Sequence, residues 1–256
     1  MESYRINTDD EQVRLEHERL LTLARVVDPP TRATLDPLVQ PDWRCCDVGS
    51  GAGTVVAWLA ERVEHVVSLD VDVRFQPESH DNVEVRQVDV TAEPVGDAEY
   101  DLVHARGVLQ HIHQREEVLA AMVEAATPGG WVVVTDTDWV QYDAQAVPEP
   151  FNTLSSTLRA HSVQQHGHDA EWGRRLIPAF QAAGLVDVDA TGHSWTMHGG
   201  TDSAEWYVGA LARALPVLPR EIFPEGHDPE AAIAQAREPD FAILSPLSVT
   251  CVGRKP

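Results

Sequence analysis

The sequence predicts an α/β fold in which helices cover both faces of a largely parallel sheet. Between residues 43 and 137, short apolar runs alternate with amphipathic helical patterns, which is typical of repeated strand–helix units. A glycine-rich turn joins the first of these runs to the helix that follows it. The chain has 256 residues, which suffice for one large domain with a hydrophobic core.

The regular half of the chain divides into strands and helices in order. Five apolar runs predict strands at 43–48, 65–70, 83–88, 100–105 and 131–136. Between the first two, Val55, Leu59 and Val63 form a stripe at helical spacing. A second helix is predicted over 115–126, and the turn signal at 128–130 separates it from the fifth strand. Right-handed crossovers between parallel strands then fix most of the topology.

The two ends of the chain are less regular. An amphipathic stripe predicts a helix over 10–27 that Pro29 and Pro30 terminate, and a short helix is expected over 34–39. After residue 143, helices are predicted around 153–161, 171–183, 204–214 and 229–237, and strands at 186–195 and 247–253. The segment between these last two strands is too long for a hairpin turn, so we expect it to form an insertion.

Charge is the strongest compositional bias. Nineteen Lys and Arg residues face forty-one Asp and Glu residues, for a formal net charge of −22. Such a surface repels phosphate backbones and anionic membranes, so we expect no nucleic-acid or membrane partner. We infer that the acidic surface mainly keeps the protein soluble. As a weaker inference, it favours neutral or cationic ligands.

Cysteine usage and the absence of targeting signals suggest a cytoplasmic protein. Cys45, Cys46 and Cys251 are the chain's three cysteines, and their spacing fits neither a disulfide framework nor a zinc site. The N-terminal sequence is polar and acidic, unlike a secretory signal. No apolar run approaches the roughly 20 residues that cross a bilayer.

The most informative segment is Asp47-Val48-Gly49-Ser50-Gly51-Ala52-Gly53, at the first strand-to-helix turn. An α/β sheet binds its ligand at this edge, and glycines allow the backbone to approach that ligand closely. Dinucleotide-binding folds also use a glycine-rich turn, but their fingerprint requires Gly or Ala where this chain has Thr54. Asp47 followed by the spacing GxGxG instead resembles the nucleotide-binding motif of class I S-adenosylmethionine (SAM)-dependent methyltransferases.

Later segments extend this resemblance over about residues 43–137. Asp70 ends the second strand, where the family places an acid that accepts hydrogen bonds from the ribose hydroxyls. Asp89 follows the third strand, where the family binds the adenine amino group. YDLVHARGVLQHI and TPGGWVVVTD are similar to the fourth- and fifth-strand motifs. HARGVLQHI and DTDW resemble the bacterial branch related to ubiquinone and menaquinone methyltransferases, many of whose relatives act in natural-product pathways.

The resemblance implies a fold, a cofactor and a set of cofactor-binding residues. The fold is a Rossmann-like sheet of seven strands, the last antiparallel, with helical cap insertions. Residues 1–42 would form N-terminal helices over the cofactor site, with Tyr4 and Arg14 candidates to fold over it. Residues 43–256 would form the SAM-binding domain, with caps near 143–169 and 197–240. The residues implied in SAM binding are Asp47, Gly49, Gly51, Gly53, Asp70, Val71, Asp89, Val90, Arg106 and Gln110. For Arg106, a bond to the cofactor carboxylate and a structural ion pair are equally open.

His111 is the candidate catalytic residue, because it follows the fourth strand where methyl donor and acceptor should meet. It could take a proton from the acceptor or only support its loop. Candidate acceptor-binding residues are Asp136, Trp139, Tyr142, His166 and Trp172. Core packing is the alternative for each aromatic residue, and a turn or cap role the alternative for Asp136 and Asp138. The histidines at 161, 166 and 168 lack the spacing of a zinc site, so we expect no metal.

The function that these features favour is N- or O-methylation of a small molecule, with C-methylation possible. A SAM-binding enzyme that catalyses a cyclisation or rearrangement would need the same donor pocket. A nicotinamide-dependent dehydrogenase and a non-enzymatic interaction module are the remaining alternatives. The sequence leaves the acceptor open and allows a monomer or a homodimer.

Overall fold

The computed structural model describes residues 10–76 and 80–256. In this part of the chain the strands are β1 (Arg44–Val48), β2 (His65–Asp70), β3 (Val83–Gln87), β4 (Tyr100–Arg106), β5 (Ala126–Asp138), β6 (Val186–His193), β7 (Thr196–His198), β8 (Ala242–Leu244) and β9 (Leu247–Arg254). The helices are α1 (Asp10–Leu35), α2 (Thr54–Ala60), α3 (Arg115–Ala125), α4 (Val140–Asp143), α5 (Phe151–His166), α6 (Trp172–Ala182), α7 (Asp202–Ala214) and α8 (Pro229–Arg237). Tyr4 lies outside the described residues.

Seven of the described strands form one sheet in the order β3-β2-β1-β4-β5-β9-β6. The pairings among β1 to β5 are parallel. Strand β9 is antiparallel to both of its neighbours, β5 and β6. The predicted seven-stranded sheet with an antiparallel last strand is therefore confirmed.

Side chains along the central strands point alternately to the two faces of the sheet, and this divides the core into two layers. In β1, Cys46 and Val48 belong to a cluster with residues of α3 and α6. Cys45 points the other way, into a cluster with residues of α2 and Leu35 of α1. Because successive side chains of a strand face opposite sides of the sheet, helices cover both faces, as predicted.

The prediction that Pro29 and Pro30 end the first helix is wrong, and so is the separate helix over 34–39. Helix α1 continues through both prolines to Leu35. Side-chain contacts in the same turns stabilise the helix on either side of the prolines. Arg32 pairs with the Asp28 carboxylate at 2.7 Å, and the Thr31 hydroxyl donates to the Val27 carbonyl at 2.8 Å. These local and tertiary contacts outweigh the helix-breaking tendency of proline.

Two elements are longer than predicted. Strand β5 begins at Ala126, before the Pro-Gly-Gly turn signal, and its pairing with β4 shifts register between Tyr100 and Leu102. The turn signal therefore marks an irregularity inside the strand rather than its start. Helix α5 spans Phe151–His166, beyond the expected 153–161.

A third cluster of buried side chains lies outside the sheet. It joins residues from α4, α5, α7 and α8 with Met197 of β7 and Ile243 of β8. Strands β7 and β8 pair with each other in a two-stranded sheet. The segments near 143–169 and 197–240, which are distant in sequence, thus share a common core, which we call the cap core. None of the described helices is both long and apolar enough to span a membrane.

Candidate functional site

The glycine-rich turn follows β1 at the carboxyl edge of the sheet, and its conformation requires glycine. Gly49, Gly51 and Gly53 have φ angles of 67°, 55° and 66°, in the left-handed region that glycine favours. A Cβ on Gly49 would lie 2.4 Å from Cγ2 of Val108, so the turn also packs closely against the loop after β4. A Cβ on Gly51 would meet nothing closer than Cδ2 of Leu20 at 3.6 Å. The turn is therefore tight on its inner side, and on its outer side a Cβ would reach ordinary van der Waals contact with Leu20 of α1.

Asp70, at the end of β2, holds this turn. Its Oδ2 accepts a hydrogen bond from the Gly51 amide at 2.7 Å, and its Oδ1 accepts one from the Asp72 amide at 2.9 Å. Burial raises the pKa of Asp70, and these two hydrogen bonds offset only part of that effect. The sequence-predicted ribose-binding acid and the glycine turn are thus in direct contact.

Asp47 lies beneath the turn rather than on its open side. It is buried, and its Oδ1 lies 2.6 Å from Nδ1 of His104, which stands opposite it on β4. Nε2 of His104 has no hydrogen-bond partner in the described part of the chain. A buried carboxylate–imidazole pair thus ties β1 to β4 where both strands reach the site.

Asp89 and Val90 follow β3, and Val71 follows β2, so all three lie after strands that end at the same edge of the sheet. Oδ1 of Asp89 accepts hydrogen bonds from the Thr91 amide and hydroxyl at 3.0 and 2.6 Å. Burial acts to raise the pKa of Asp89, but these bonds outweigh it and the pKa is lowered. The Val71 carbonyl accepts from the Gln87 side chain at 2.9 Å, and Val90 packs against the main core.

Arg106 is engaged in an ion pair with α1. Its Nη1 donates to Oδ1 of the buried Asp28 at 2.7 Å and contacts the Thr31 hydroxyl at 3.2 Å. Asp28 also accepts from Arg32 and from the Thr54 hydroxyl. Of the two roles expected for Arg106, the structure shows the structural ion pair, and through it β4, α1 and α2 are joined.

Helix α1 lies over the outer side of the glycine turn, where its Leu20 faces Gly51. The ring of His17 stacks on Phe75 after β2 at a centroid distance of 5.3 Å. Arg213 of α7 donates to the Leu15 carbonyl and pairs with Glu16, both at 2.9 Å. The helix thus contacts both the sheet edge and the cap.

His111 ends a short helical turn after β4 and stacks on His168, with ring centroids 4.8 Å apart. The His111 side chain is exposed, yet surrounding protein lowers its pKa to about 3. Loss of hydration is the largest cause, followed by the charges of His168, Arg19 and Arg115. At this pKa His111 is neutral at pH 7.

Gln110 fixes the position of this turn. Its Oε1 accepts from the Thr137 amide at 2.9 Å and from the Thr137 hydroxyl at 2.5 Å. Its Nε2 lies 3.1 Å from Nε2 of His111, so the amide donates and the neutral imidazole accepts. The backbone carbonyl of Gln110 accepts from the Asp169 amide at 2.7 Å. Gln110 therefore orients His111 relative to the end of β5.

The candidate acceptor-binding residues occupy different surroundings. Trp139 and Tyr142 are buried in the cap core, Trp172 is buried in the main core, and His166 is exposed at the end of α5. Asp136 is buried, and neither of its carboxylate oxygens has a well-formed hydrogen bond within the described residues. Burial raises the pKa of Asp136 well above its ordinary value.

Sequence reasoning gave little weight to two residues that stand out in the structure. His168, not His166, stacks on His111, and its pKa is lowered to about 4, chiefly by burial. Arg159 of α5 lies over the rings of Trp139 and Tyr142, with its Cζ 4.8 and 5.0 Å from their centroids. Neither contact has a local sequence signal, because each joins separate elements. The described residues contain no group of three or more His, Cys, Asp or Glu side chains placed to hold a metal.

The seven-stranded sheet and the glycine turn at its carboxyl edge match the fold of class I SAM-dependent methyltransferases. The family model described as a methyltransferase domain matches residues 10–190. The chain therefore belongs to that family.

Curated relatives share part of their length with this chain. Methyltransferase str2 of Strobilurus tenacellus is 26% identical over 149 residues, which are 57% of this chain and 54% of that protein. The ubiquinone biosynthesis O-methyltransferase of Methylococcus capsulatus is 26% identical over 63% of this chain and 64% of that protein. The chain thus spans about half the length of the first of these relatives.

Solved structures share the fold at low sequence identity. A methyltransferase from Bacillus halodurans has a TM-score of 0.55 and 16% identity, with 88% of this chain and 98% of that chain covered. The [4+2]-cyclase SpnF has a TM-score of 0.52 and 17% identity, with 90% and 80% covered. The same fold thus occurs in a methyltransferase and in a cyclase, so the fold by itself does not assign the reaction.

Proposed function

We propose that this chain transfers the methyl group of SAM to a nitrogen or oxygen atom of a small molecule. The glycine turn carries this proposal, because three glycines in the left-handed conformation bring the backbone to the edge of the sheet where α/β folds bind their ligand. The cofactor supplies the electrophilic methyl group, and the protein supplies binding and orientation.

The residues present fit the cofactor. Each oxygen of Asp70 accepts one backbone hydrogen bond, and a carboxylate oxygen has a second lone pair for a ribose hydroxyl. Asp89 would bind the adenine amino group, and Val71 and Val90 would line the adenine pocket. Arg106 would act through its bond to Asp28, which holds α1 over the turn.

His111 is the proposed contact to the acceptor. Since its pKa is about 3, it is neutral at pH 7 and a weak base, so alignment is its main contribution. Asp136, Trp139, Tyr142 and Trp172 would then support the acceptor pocket from behind, because each of them is buried. His166, on the exposed end of α5, would lie at the rim.

Two measurements test the proposal. Calorimetry should detect SAM binding that Gly51→Val abolishes, because the larger side chain would stand where the backbone and the cofactor meet. Gly184→Val is the matched control, because it imposes left-handed backbone strain at a position where a Cβ meets nothing within 4 Å. Unaltered SAM affinity in Gly51→Val would refute the assignment of the turn. Formation of S-adenosylhomocysteine from SAM and an acceptor panel would show methyl transfer, whereas acceptor conversion without it would favour the cyclisation alternative.

A further inference from the structure

A chain of hydrogen bonds leads from the cap core to His111. The indole N–H of Trp139 donates to the Thr137 hydroxyl at 3.0 Å, and that hydroxyl donates to Oε1 of Gln110 at 2.5 Å. The amide nitrogen of Gln110 lies 3.1 Å from Nε2 of His111. The chain thus joins the end of β5 to the turn after β4, at the carboxyl edge of the sheet.

The donors of Thr137 fix which end of the Gln110 side chain faces His111. An indole N–H can only donate, so the Thr137 hydroxyl accepts from Trp139 and has its own hydrogen for Gln110. The Thr137 backbone N–H, which also can only donate, points to the same atom of Gln110 at 2.9 Å. An oxygen accepts from both donors, whereas an NH2 group in its place would face the backbone N–H donor to donor. The NH2 group of Gln110 therefore faces His111.

This NH2 group fixes the position of the hydrogen on the imidazole ring. In a neutral imidazole, one nitrogen carries the hydrogen and the other accepts a hydrogen bond. Nε2 accepts from Gln110, so the hydrogen lies on Nδ1. The other tautomer would set two N–H groups against each other. It would leave a donor of the buried Gln110 side chain without an acceptor, which shifts an equilibrium by about five- to hundredfold.

We propose that Gln110, held by both donors of Thr137, is a positioning residue that keeps His111 in the Nδ1–H tautomer, and that His111 binds the methyl acceptor as a hydrogen-bond donor. The His111 side chain is exposed, and its Nδ1 has no hydrogen-bond partner among residues 10–76 and 80–256. Its N–H is therefore available to a ligand. The role toward the acceptor rests on the proposed function, whereas the tautomer does not.

The tautomer decides between the two roles that a histidine can have beside a methyl acceptor. A general base needs a free lone pair. The lone pair of Nε2 is used by Gln110, and Nδ1 carries a hydrogen. His111 therefore orients the acceptor and does not take its proton. The acceptor group that contacts His111 must offer a lone pair, as a carbonyl or ether oxygen does.

Nuclear magnetic resonance of protein with isotopically labelled histidine nitrogens reads the tautomer directly. A ring nitrogen without hydrogen resonates far downfield of an N–H nitrogen, and Hδ2 correlates with Nε2 rather than with Nδ1. The signals of His111 are those missing from the spectrum of His111→Gln. At pH 8 we expect Nε2 to be the downfield nitrogen. A downfield Nδ1, or equal shifts of the two nitrogens, would overturn the proposal.

Gln110→Glu reverses the hydrogen bond to His111 while nearly preserving the side-chain shape. One carboxylate oxygen can accept from Thr137, but the other oxygen cannot donate to Nε2. Nε2 must then carry the hydrogen, so its signal should move upfield to the N–H position. Gln114→Glu is the matched control, because it makes the same change at the exposed residue before α3, and it should leave Nε2 downfield.

Gln110→Leu provides a second measurement with a side chain that neither donates nor accepts. His111 should return to the Nε2–H form, which histidine favours in water. Circular dichroism checks that both variants are folded. If Nε2 remains without hydrogen in either variant at position 110, Gln110 does not set the tautomer and its positioning role is overturned.

Acetophenone, whose only polar atom is a carbonyl oxygen, tests the donor role separately. In protein saturated with S-adenosylhomocysteine, excess acetophenone should move the Nδ1 signal of His111, and it should do so much less in Gln110→Glu. No movement, or equal movement in the two proteins, would overturn the donor role and leave the tautomer standing. Failure of S-adenosylhomocysteine to bind would instead remove the proposed function, and the tautomer would again be unaffected.

Discussion

Gly49 and Gly107 provide a matched test of how the glycine turn is held. Their φ angles are 67° and 65°, so alanine at either position pays the same left-handed backbone strain, about 1–2 kcal/mol. A Cβ on Gly107 would meet nothing within 4 Å, whereas a Cβ on Gly49 would lie 2.4 Å from Cγ2 of Val108. Overpacking adds about 1–3 kcal/mol. We therefore expect Gly49→Ala to lower the free energy of unfolding by about 2–5 kcal/mol and Gly107→Ala by only about 1–2 kcal/mol.

Urea denaturation followed by circular dichroism measures both losses. Val108→Ala should recover part of the loss in the Gly49→Ala background, because it removes the methyl groups that the new Cβ meets. Equal destabilisation by the two alanine variants, or no recovery in the double variant, would show that the contact between the turn and the loop after β4 is not tight.

Three further predictions concern titratable side chains at or near the site. Asp28→Ala should cost about 3–5 kcal/mol of stability, measured by urea denaturation, because Arg32 and Arg106 lose a buried counterion; a loss similar to that of an exposed pair would contradict this. Asp136 has a raised pKa in the folded state, so its contribution to stability is present at low pH and is lost as pH rises through that pKa. Asp136→Asn should therefore raise the unfolding free energy at pH 8 more than at pH 5, and the opposite trend would refute the assignment. The His111 ring should show no titration by NMR between pH 5 and 8, since its pKa is about 3, and a midpoint near 6.5 would contradict the low hydration.

The sequence predicted the sheet well because its central strands are buried on both faces. Cys45 and Cys46 face opposite layers, so consecutive residues of β1 are apolar, and the glycine turn follows the strand directly. The continuation of α1 through Pro29 and Pro30 was not predictable, because it depends on contacts with α2 and β4. Local propensity is visible in a sequence, whereas the tertiary contacts that override it are not.

Residue roles at the site were less predictable than residue positions. Arg106 and Asp28 are separated by 78 positions, so no local pattern could show that the arginine binds α1. Likewise, a tryptophan has the same sequence signal in a ligand pocket and in a core, and Trp172 proved to be buried. His168 lies beside His111 because the segment after α5 packs against the turn after β4, and these segments are distant in the sequence.

Net charge by itself says little about the ligand that a site binds. A composition sums over the whole surface, but a bound ligand experiences charges within about a Debye length, roughly 8–10 Å in physiological salt. Acidic residues of this chain are spread over exposed surfaces, while arginines outnumber carboxylates two to one in the groups around Glu16, Asp28 and Asp169. The acidic surface therefore repels polyanions at long range, whereas a ligand bound at the site experiences mainly the charges of the side chains within that distance.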